Sequence, residues 1–405
     1  MRHTLTHLKI YQKNINVSVF LAQVLEHSYA LKSLFYGTSQ SLLRVFGDFT
    51  KLKRPHSLEN LELRSLAVAS EHVECILKTC QNLRRFVVGK CESPILDIVV
   101  TQALPTLEIL AYNSDKCEVP KLNREKRLIL REIYCSRPTD GIKSIMLFIH
   151  HYMSTLEVIN INTANLRTLT PEEHLQIPSV LHFKHLQLLG IGLDPLIQSM
   201  LLDGVREINS LKHLNAYKVH DVTSLSDVLM DIPALQTLHL SKFYGHGSTC
   251  LMQLFDRYAT LSQPLQMLRT VILDESNAVS DGTLASLGYI RTLREITLSD
   301  LKTVTPNGIR ALLEKCARQL INMTISRIPL SNKNIELIAI HCIQLEHLAL
   351  HYIQQFDDFN LKSLVNNLST HKLKSMQVVG CEKVTWEGTK YASKKVRFTT
   401  YLYEW

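Results

Sequence analysis

The stretch His341-Cys-Ile-Gln-Leu345-Glu-His-Leu348-Ala-Leu350 contains the pattern L-x-x-L-x-L, in which x is any residue. The pattern recurs along the whole chain, with other apolar residues or cysteine allowed at its last two fixed positions. Its fifteen copies begin at Leu5, Leu31, Leu58, Leu83, Leu107, Leu130, Leu156, Leu186, Leu211, Leu235, Leu268, Leu293, Leu320, Leu345 and Leu373. Side chains two residues apart share one side of an extended strand, so each copy predicts a short strand with one buried side.

A second periodicity lies between the copies. Apolar residues recur there at i, i+3, i+4 and i+7, as in Val73/Ile76/Leu77/Cys80 and Leu361/Leu364/Val365/Leu368, and this spacing predicts amphipathic helices. The first and last copies begin 368 residues apart, so the fourteen intervals average about 26 residues. One strand and one helix in such a period is typical of leucine-rich repeats. The sequence therefore predicts an α/β leucine-rich-repeat solenoid, a horseshoe like that of ribonuclease inhibitor.

In this architecture the parallel sheet lines the concave face and the helices cover the convex face. We expect residues 1–405 to form a single solenoid of about 15 repeats, because repeats add onto one another without a closed core. The hydrophobic fraction of 45% supports a continuous stacked core, and 14 glycines and 12 prolines are few. The segment 391–405, rich in aromatic residues, is predicted to form a C-terminal capping strand.

Several helices have a recognisable start. A serine or threonine at the N-cap accepts a hydrogen bond from a backbone N–H of the first helical turn, and proline is tolerated directly after it. The residues that fit this role are Thr170-Pro171, Ser248, Ser280, Thr305-Pro306 and Ser331.

Composition restricts the class of protein. The net charge of +8 is mild for 405 residues and does not predict a nucleic-acid partner. The nine cysteines are spread out with no C-x-x-C pair, which disfavours a secreted disulfide framework and therefore an extracellular receptor ectodomain. No apolar run reaches the ~20 residues that a membrane span needs. We expect a cytoplasmic or nuclear protein, or one found in both compartments.

Catalytic signatures are absent from the sequence. It has no H-E-x-x-H, no G-x-S-x-G, no Walker loop and no dinucleotide-binding fingerprint. The scattered cysteines are interpreted as small buried core residues. We therefore expect no enzyme activity, no metal site and no cofactor.

The cysteines flank the strand motifs at a regular spacing. Cys80 lies three residues before Leu83, and Cys91 lies three residues after Val88, which gives C-x-x-L-x-x-F-x-V-x-x-C. Cys342 precedes its motif and Cys381 follows its motif by the same interval, and Val279-Ser-Asp-Gly-Thr-Leu284 lies downstream of another copy. This arrangement resembles the cysteine-containing leucine-rich repeat, C-x-x-L-x-x-L-x-L-x-x-C followed by I-T-D-x-G-L, which is typical of F-box/LRR proteins.

The resemblance implies a function. F-box/LRR proteins are substrate receptors of SCF-type ubiquitin ligases, so the implied role is to recognise a protein destined for proteasomal degradation. The F-box that binds the Skp-type adaptor should precede the repeats, but the first copy begins at Leu5. We therefore expect the adaptor and a cullin as partners only if an F-box lies upstream of Met1. The alternative is a scaffold or regulator outside ubiquitination, of the mitotic-exit or GTPase-regulating type.

The outward residues of the strands form the surface that a partner would touch. They are the third, fifth and seventh residues of each copy. This surface has few charges, which disfavours a phosphate-rich ligand, and its apolar residues Ile109, Val158 and Leu188 favour a protein surface. The predicted partner-binding residues are Tyr134, Asn160, Asn162, His213, Asn215, Tyr217, His239, Glu295, His347 and His351.

Overall fold

A computed structural model gives the architecture. It describes residues 5–11, 23–37, 43–44, 56–91, 95–102, 104–114, 129–136, 142–162, 181–192, 195–206, 208, 210–218, 222–232, 234–243, 248–261 and 267–401. The chain divides into two compact units, unit 1 (Met1–Ile208) and unit 2 (Asn209–Trp405).

In unit 1 the structure gives the bounds of nine strands and four helices, and residues 23–27 are also helical. The strands are β1 (His7–Ile10), β2 (Ser33–Tyr36), β3 (Leu43–Arg44), β4 (Asn60–Val68), β5 (Arg85–Cys91), β6 (Ile109–Ser114), β7 (Glu132–Ser136), β8 (Val158–Asn162) and β9 (Leu188–Gly192). The helices are α1 (Ser70–Thr79), α2 (Ile95–Gln102), α3 (Ile142–Tyr152) and α4 (Pro195–Asp203). Each helix lies between two strands along the chain or follows the last one.

Unit 2 repeats the alternation more regularly. Its described strands are β10 (His213–Tyr217), β11 (Thr237–Ser241), β12 (Thr270–Ser276), β13 (Glu295–Leu301), β14 (Asn322–Ser326), β15 (His347–His351), β16 (Ser375–Val379) and β17 (Arg397–Tyr401). Its helices are α5 (Val222–Met230), α6 (Ser248–Thr260), α7 (Asp281–Gly288), α8 (Pro306–Cys316), α9 (Asn332–His341), α10 (Asp358–Leu368) and α11 (Trp386–Ser393). A short 3-10 helix, Ala317–Gln319, extends α8.

The strands within each unit pair in parallel, and in unit 1 the register shifts between Leu63 and Ala67 and between Val88 and Cys91. In unit 1, Leu34 pairs with Leu61, which pairs with Phe86. In unit 2, Leu214 pairs with Leu238, and the same position continues through Val271 to β17. All fifteen predicted strand motifs fall on strands. The predicted leucine-rich-repeat fold, with parallel strands that alternate with helices, is confirmed.

Numbering each copy from its first leucine, the residues at positions 1, 4 and 6 form the core in the copies from Leu31 to Leu345. In the first copy Leu5 is exposed and Leu8 and Ile10 are half-buried, and Leu373 of the last copy is half-buried. Leu61 and Leu238 are fully buried, and Leu348 is 2% exposed. Apolar stripes of the helices, such as Ile309 and Leu361, are buried with them. Burial of this apolar surface stabilises each unit, because every repeat shares its core with its neighbours.

The predicted helix starts are confirmed where the structure describes them. The side chains of Ser280, Thr305 and Ser331 accept hydrogen bonds from the backbone N–H groups of Thr283, Asn307 and Asn334 respectively. Helix α6 begins at Ser248, whose side chain lies outside the described residues. Thr170-Pro171 also lies outside them.

Two pairs of consecutive helices in unit 2, α7 with α8 and α10 with α11, are joined at their N-termini. Asp281, the first residue of α7, accepts hydrogen bonds from the backbone N–H of Thr305 at 2.8 Å and from its hydroxyl at 2.5 Å. Asp358 of α10 binds Thr385 in the same way. A glycine three residues beyond each threonine, Gly308 in the first case, leaves room for the aspartate. These contacts fix the spacing between repeats.

The C-terminal segment contains both a helix and a strand. Residues 391–393 end α11, and Arg397–Tyr401 form β17, which pairs in parallel with β16. The strand predicted over 391–405 is therefore shorter at its start, and residues 402–405 lie outside the described part of the chain.

Candidate binding face

Residues at positions 3, 5 and 7 of the copies point away from the core of their unit. We call this surface the open face of each unit. All ten predicted partner-binding residues lie on strands at these positions. His347 is exposed, and the other side chains that the structure describes are half-buried. The side chain of Asn162 lies outside the described residues, although its backbone belongs to β8.

Two of the three predicted residues on the open face of unit 1, Tyr134 and Asn160, have side chains that the structure describes. The Tyr134 hydroxyl donates a hydrogen bond to Glu132 Oε2 at 3.0 Å, and burial together with Glu132 raises the pKa of the tyrosine. Asn160 packs over Gly190, where a Cβ atom would lie 2.6 Å from Asn160 Oδ1. Both side chains are therefore held in place by their neighbours.

The apolar patch predicted on unit 1 is interrupted. Ile109, Val158 and Leu188 are half-buried at position 3. The pairing register, however, places Glu132 between Ile109 and Val158. Sequence reasoning overlooked Glu132, although it occupies the same position of its own copy. Position 3 of strands β6 to β9 therefore presents three apolar side chains and one carboxylate.

The open face of unit 2 begins with a histidine and a tyrosine on β10. His213 Nδ1 lies 3.1 Å from Thr237 Oγ1 on the next strand. The ammonium groups of Lys218 and Lys242 lie 5.9 Å and 5.4 Å from the centroid of the Tyr217 ring. Tyr217 thus presents an aromatic surface that two lysines hold by cation–π contacts. Asn215 lies between His213 and Tyr217 on β10.

The next two strands, β11 and β12, carry a histidine and an acidic residue, His239 and Asp274. Burial lowers the pKa of His239, and the charge of Asp274 opposes this shift. Ser241 donates a hydrogen bond to Asp274 Oδ2 at 3.1 Å. Asp274 was not among the predicted residues, but its place at position 7 of the copy at Leu268 would have identified it.

The remaining predicted residues of unit 2 also have fixed partners. Glu295 accepts hydrogen bonds from Thr270 Oγ1 at 3.3 Å and from Asn322 Nδ2 at 2.8 Å. His347 Nδ1 lies 2.6 Å from Ser375 Oγ. Burial lowers the pKa of His351. These side chains form a polar surface that is ordered in advance of any partner.

Sequence reasoning missed the residues that follow the strands. Position 8 has a positive φ in all seven copies of unit 2. The residues are Lys218, Lys242, Glu275, Asp300, Arg327, Tyr352 and Gly380. Only glycine adopts this backbone conformation without strain, so six of the seven carry no signal in the sequence. Their side chains extend the edge of the open face, where the Arg327 guanidinium lies 4.7 Å from the Tyr352 ring centroid.

Most of the described cysteines contribute to the core, as predicted, whereas Cys75 and Cys250 are half-buried. Cys80, Cys316, Cys342 and Cys381 are buried, and burial raises the pKa of Cys80 and Cys316 to about 12. A thiol with so high a pKa is unreactive at neutral pH. The side chains of Cys91 and Cys117 lie outside the described residues.

Metal-type clusters of side chains and helices of membrane-spanning length are both absent from the described part of the chain. Nowhere in it do three or more His, Cys, Asp or Glu side chains gather as they would around a metal ion. None of its helices has the length and hydropathy to cross a membrane.

Comparison with known proteins supports the fold. No family model matches the sequence. Rad7, from a crystal structure of the Rad7 and Elc1 complex in yeast, aligns with a TM-score of 0.54 and 14% identity over 95% of this chain and 88% of that chain. An internalin, InlF of Listeria monocytogenes, aligns with a TM-score of 0.35 and 14% identity over 98% of this chain and 80% of that chain. The chain has the leucine-rich-repeat fold that Rad7 shares.

Proposed function

We propose that this chain is a non-catalytic protein-binding domain whose open face recognises a protein partner. The observation that carries the proposal is the polar surface of unit 2, where His213, Glu295 and His347 are each held by side chains of adjacent strands. A surface that is ordered before binding loses little conformational entropy on association. Tyrosine and histidine next to small polar residues suit a protein surface.

We further propose that the partner is a substrate of an SCF-type ubiquitin ligase, recognised for ubiquitin-dependent degradation in the cytoplasm or nucleus. The cysteine-containing repeat pattern supports this role. Rad7, which has the same fold, was solved in a complex with a second protein, Elc1. The chain would hold the substrate non-covalently, and a separate assembly would transfer ubiquitin.

The test is affinity capture with the full-length product. We expect the triple variant His213→Ala, Tyr217→Ala, His239→Ala to capture at least about tenfold less substrate than the parent. The reason is that a few central residues carry most of the binding energy of an interface. Skp-type adaptor and cullin should be recovered equally with parent and variant. A matched control is Arg257→Ala, Glu314→Ala, Lys333→Ala, which changes exposed helix residues. Unchanged capture by the face variant would exclude the open face of unit 2, and capture without adaptor or cullin would exclude the ligase role.

A further inference from the structure

The residue at position 2 of each copy lies just before its strand. We call these residues the edge row of each unit. In unit 1 the row is Thr6, Lys32, Glu59, Arg84, Glu108, Arg131, Glu157 and Gln187, and in unit 2 it is Lys212, Gln236, Arg269, Arg294, Ile321, Glu346 and Lys374. Each N–H of the row donates to the carbonyl of the preceding member at 2.7 or 2.8 Å, as Arg294 does to Arg269. Members that are about 25 residues apart in sequence are therefore direct neighbours.

Basic members of the row in unit 1 are paired with glutamates of the next repeat. The ion-pair distances are 3.4 Å for Lys32 with Glu59, 3.4 Å for Arg84 with Glu108, and 3.7 Å for Arg131 with Glu157. Lys374 of unit 2 is paired at 2.6 Å with Glu346 of the preceding repeat. Position 2 therefore suits a basic side chain beside a glutamate.

Three basic members of the row in unit 2, Lys212, Arg269 and Arg294, have no glutamate next to them in the row of their unit. Arg269 and Arg294 are adjacent, with Gln236 before them and Ile321 after them. Like charges placed side by side destabilise a sheet. The Arg294 guanidinium donates to the carbonyls of Arg291 and Leu293 at 3.0 and 2.9 Å, so its position is fixed but its charge is not neutralised.

Further basic residues surround this pair. Arg291 and Arg318 lie two residues before the first leucines of their copies and are exposed or close to the surface. We call Arg269, Arg291, Arg294 and Arg318 the arginine cluster. None of the four has a carboxylate partner among the described residues. The nearest acid in sequence, Glu295, is bound to Thr270 and Asn322 on the open face.

Most of the other acids near the cluster in sequence are bound elsewhere. Asp274 accepts a hydrogen bond from Ser241, Glu275 lies 3.4 Å from Lys242, Asp281 accepts from Thr305, and Glu314 lies 3.7 Å from Arg310. Asp300 lies at the other end of β13. Beside the cluster, Lys315 adds a further positive charge and lies 5.0 Å from the ring centroid of Tyr289, whose side chain is half exposed. Arginines beside an exposed aromatic ring are the composition typical of interface hot spots.

We propose that the arginine cluster binds a carboxylate-rich segment of a partner protein, whose Asp or Glu side chains take the places that neighbouring repeats fill in unit 1. The equivalent positions already accept glutamates within this chain, so a carboxylate fits the geometry. The cluster covers only β12 to β14, about 10 Å across at the strand spacing of parallel sheets. A nucleic-acid site is typically much larger. This surface is separate from the open face and does not depend on the proposed function.

Binding of fluorescein-labelled deca-glutamate, followed by fluorescence anisotropy in 50 mM NaCl, tests the proposal. We expect Arg269→Gln, Arg294→Gln to weaken binding about tenfold, in line with the strength of two exposed ion pairs. The matched control Arg84→Gln, Arg131→Gln removes the same charge at the same positions of unit 1 and should change the affinity less than about twofold. Equal loss in both variants would overturn the proposal, because it would show a response to net charge alone.

A second variant keeps every arginine. Gln236→Glu, Ile321→Glu places a glutamate on each side of the pair and completes the row within the chain, as in unit 1. We expect it to weaken deca-glutamate binding to a similar extent, whereas Gln253→Glu, Gln354→Glu, at exposed sites elsewhere in unit 2, should not. Unfolding curves confirm that each variant is folded. Tighter binding of (dT)10 or of a phosphoserine peptide of equal charge through the same arginines would overturn the carboxylate partner.

Discussion

Units 1 and 2 have the same buried ladder but different edge rows. Leu61 in unit 1 and Leu238 in unit 2 are both fully buried at position 4. At position 2, however, Arg84 of unit 1 lies 3.4 Å from Glu108, whereas Arg269 of unit 2 lies beside Arg294. The interior must match between repeats because every copy packs against the next. The edge is free of that requirement, so the two rows can differ without disturbing the buried ladder.

The largest expected effect tests whether the interiors are equivalent. Leu61→Ala and Leu238→Ala should each lower the free energy of unfolding by about 2–5 kcal/mol, because each leaves a cavity in a fully packed core. Urea unfolding followed by circular dichroism measures both. Lys212→Ala, at an exposed edge position, should stay within about 0.5 kcal/mol of the parent. A loss below about 1 kcal/mol at either leucine would contradict equal packing of the units.

A smaller effect concerns the contact that spaces the repeats of unit 2. In Gly308→Ala the new Cβ would lie 2.8 Å from the Cα of Asp281, a backbone atom that cannot move aside. We expect a loss of about 1–3 kcal/mol in the same assay. Gly282→Ala is the control, because its Cβ would meet no atom closer than Met252 Sδ at 3.4 Å. That control should be neutral or stabilising by up to about 1 kcal/mol, and similar losses at both glycines would show that the close approach is unimportant.

A third expectation concerns pH and the buried His56 of unit 1. Burial lowers its pKa from 6.5, with the backbone of Leu25 opposing the shift. The folded chain keeps this ring neutral while the unfolded chain takes up a proton, so stability is complete above pH 6.5 and is lost as the pH falls below it. His239 and His351 of unit 2 act in the same direction.

Thermal unfolding between pH 7.5 and 5.5 measures this dependence. We expect Tm to fall by about 2–4 °C for each kcal/mol of stability that is lost at low pH. In His56→Leu, Tm should depend less steeply on pH. If Tm fell by the same amount between pH 7.5 and 5.5 in the parent and in His56→Leu, His56 would not contribute to the pH dependence of stability.

The smallest effect bears directly on the two edge rows. Arg84→Gln should cost at most about 1 kcal/mol, because its ion pair with Glu108 is exposed. Arg269→Gln should cost nothing or stabilise by a few tenths of a kcal/mol, since it relieves repulsion from Arg294. Raising NaCl from 50 to 500 mM should reduce the difference between the free energies of unfolding of the two variants, because salt screens surface charges. A clear loss of stability in Arg269→Gln would mean that this arginine has a structural role within the chain.

The fold was predictable because its signal is local and repeated. Period-two apolar residues indicated every copy of the strand, and Ser280, Thr305 and Ser331 marked helix starts that the structure confirms. The side of the strand on which the ten predicted residues lie followed from the same alternation. Whether those residues bind a partner stays a prediction.

Contacts between repeats were not predictable in the same way. The hydrogen bond of His213 with Thr237 and the pair of Arg84 with Glu108 each join residues 24 apart, so they depend on the register between strands. The positive φ at Lys218 and its six counterparts has no signal either, because only Gly380 is of the residue type that marks such a turn.

The sequence by itself determined the repeat, the residues of the core and the outward side of each strand, because burial follows from local periodicity alone. Only the tertiary structure decided which charges meet along an edge and which remain without a carboxylate. The physical reason is that the parallel register makes direct neighbours of residues about 25 positions apart, and that alignment is set by the packing of whole repeats.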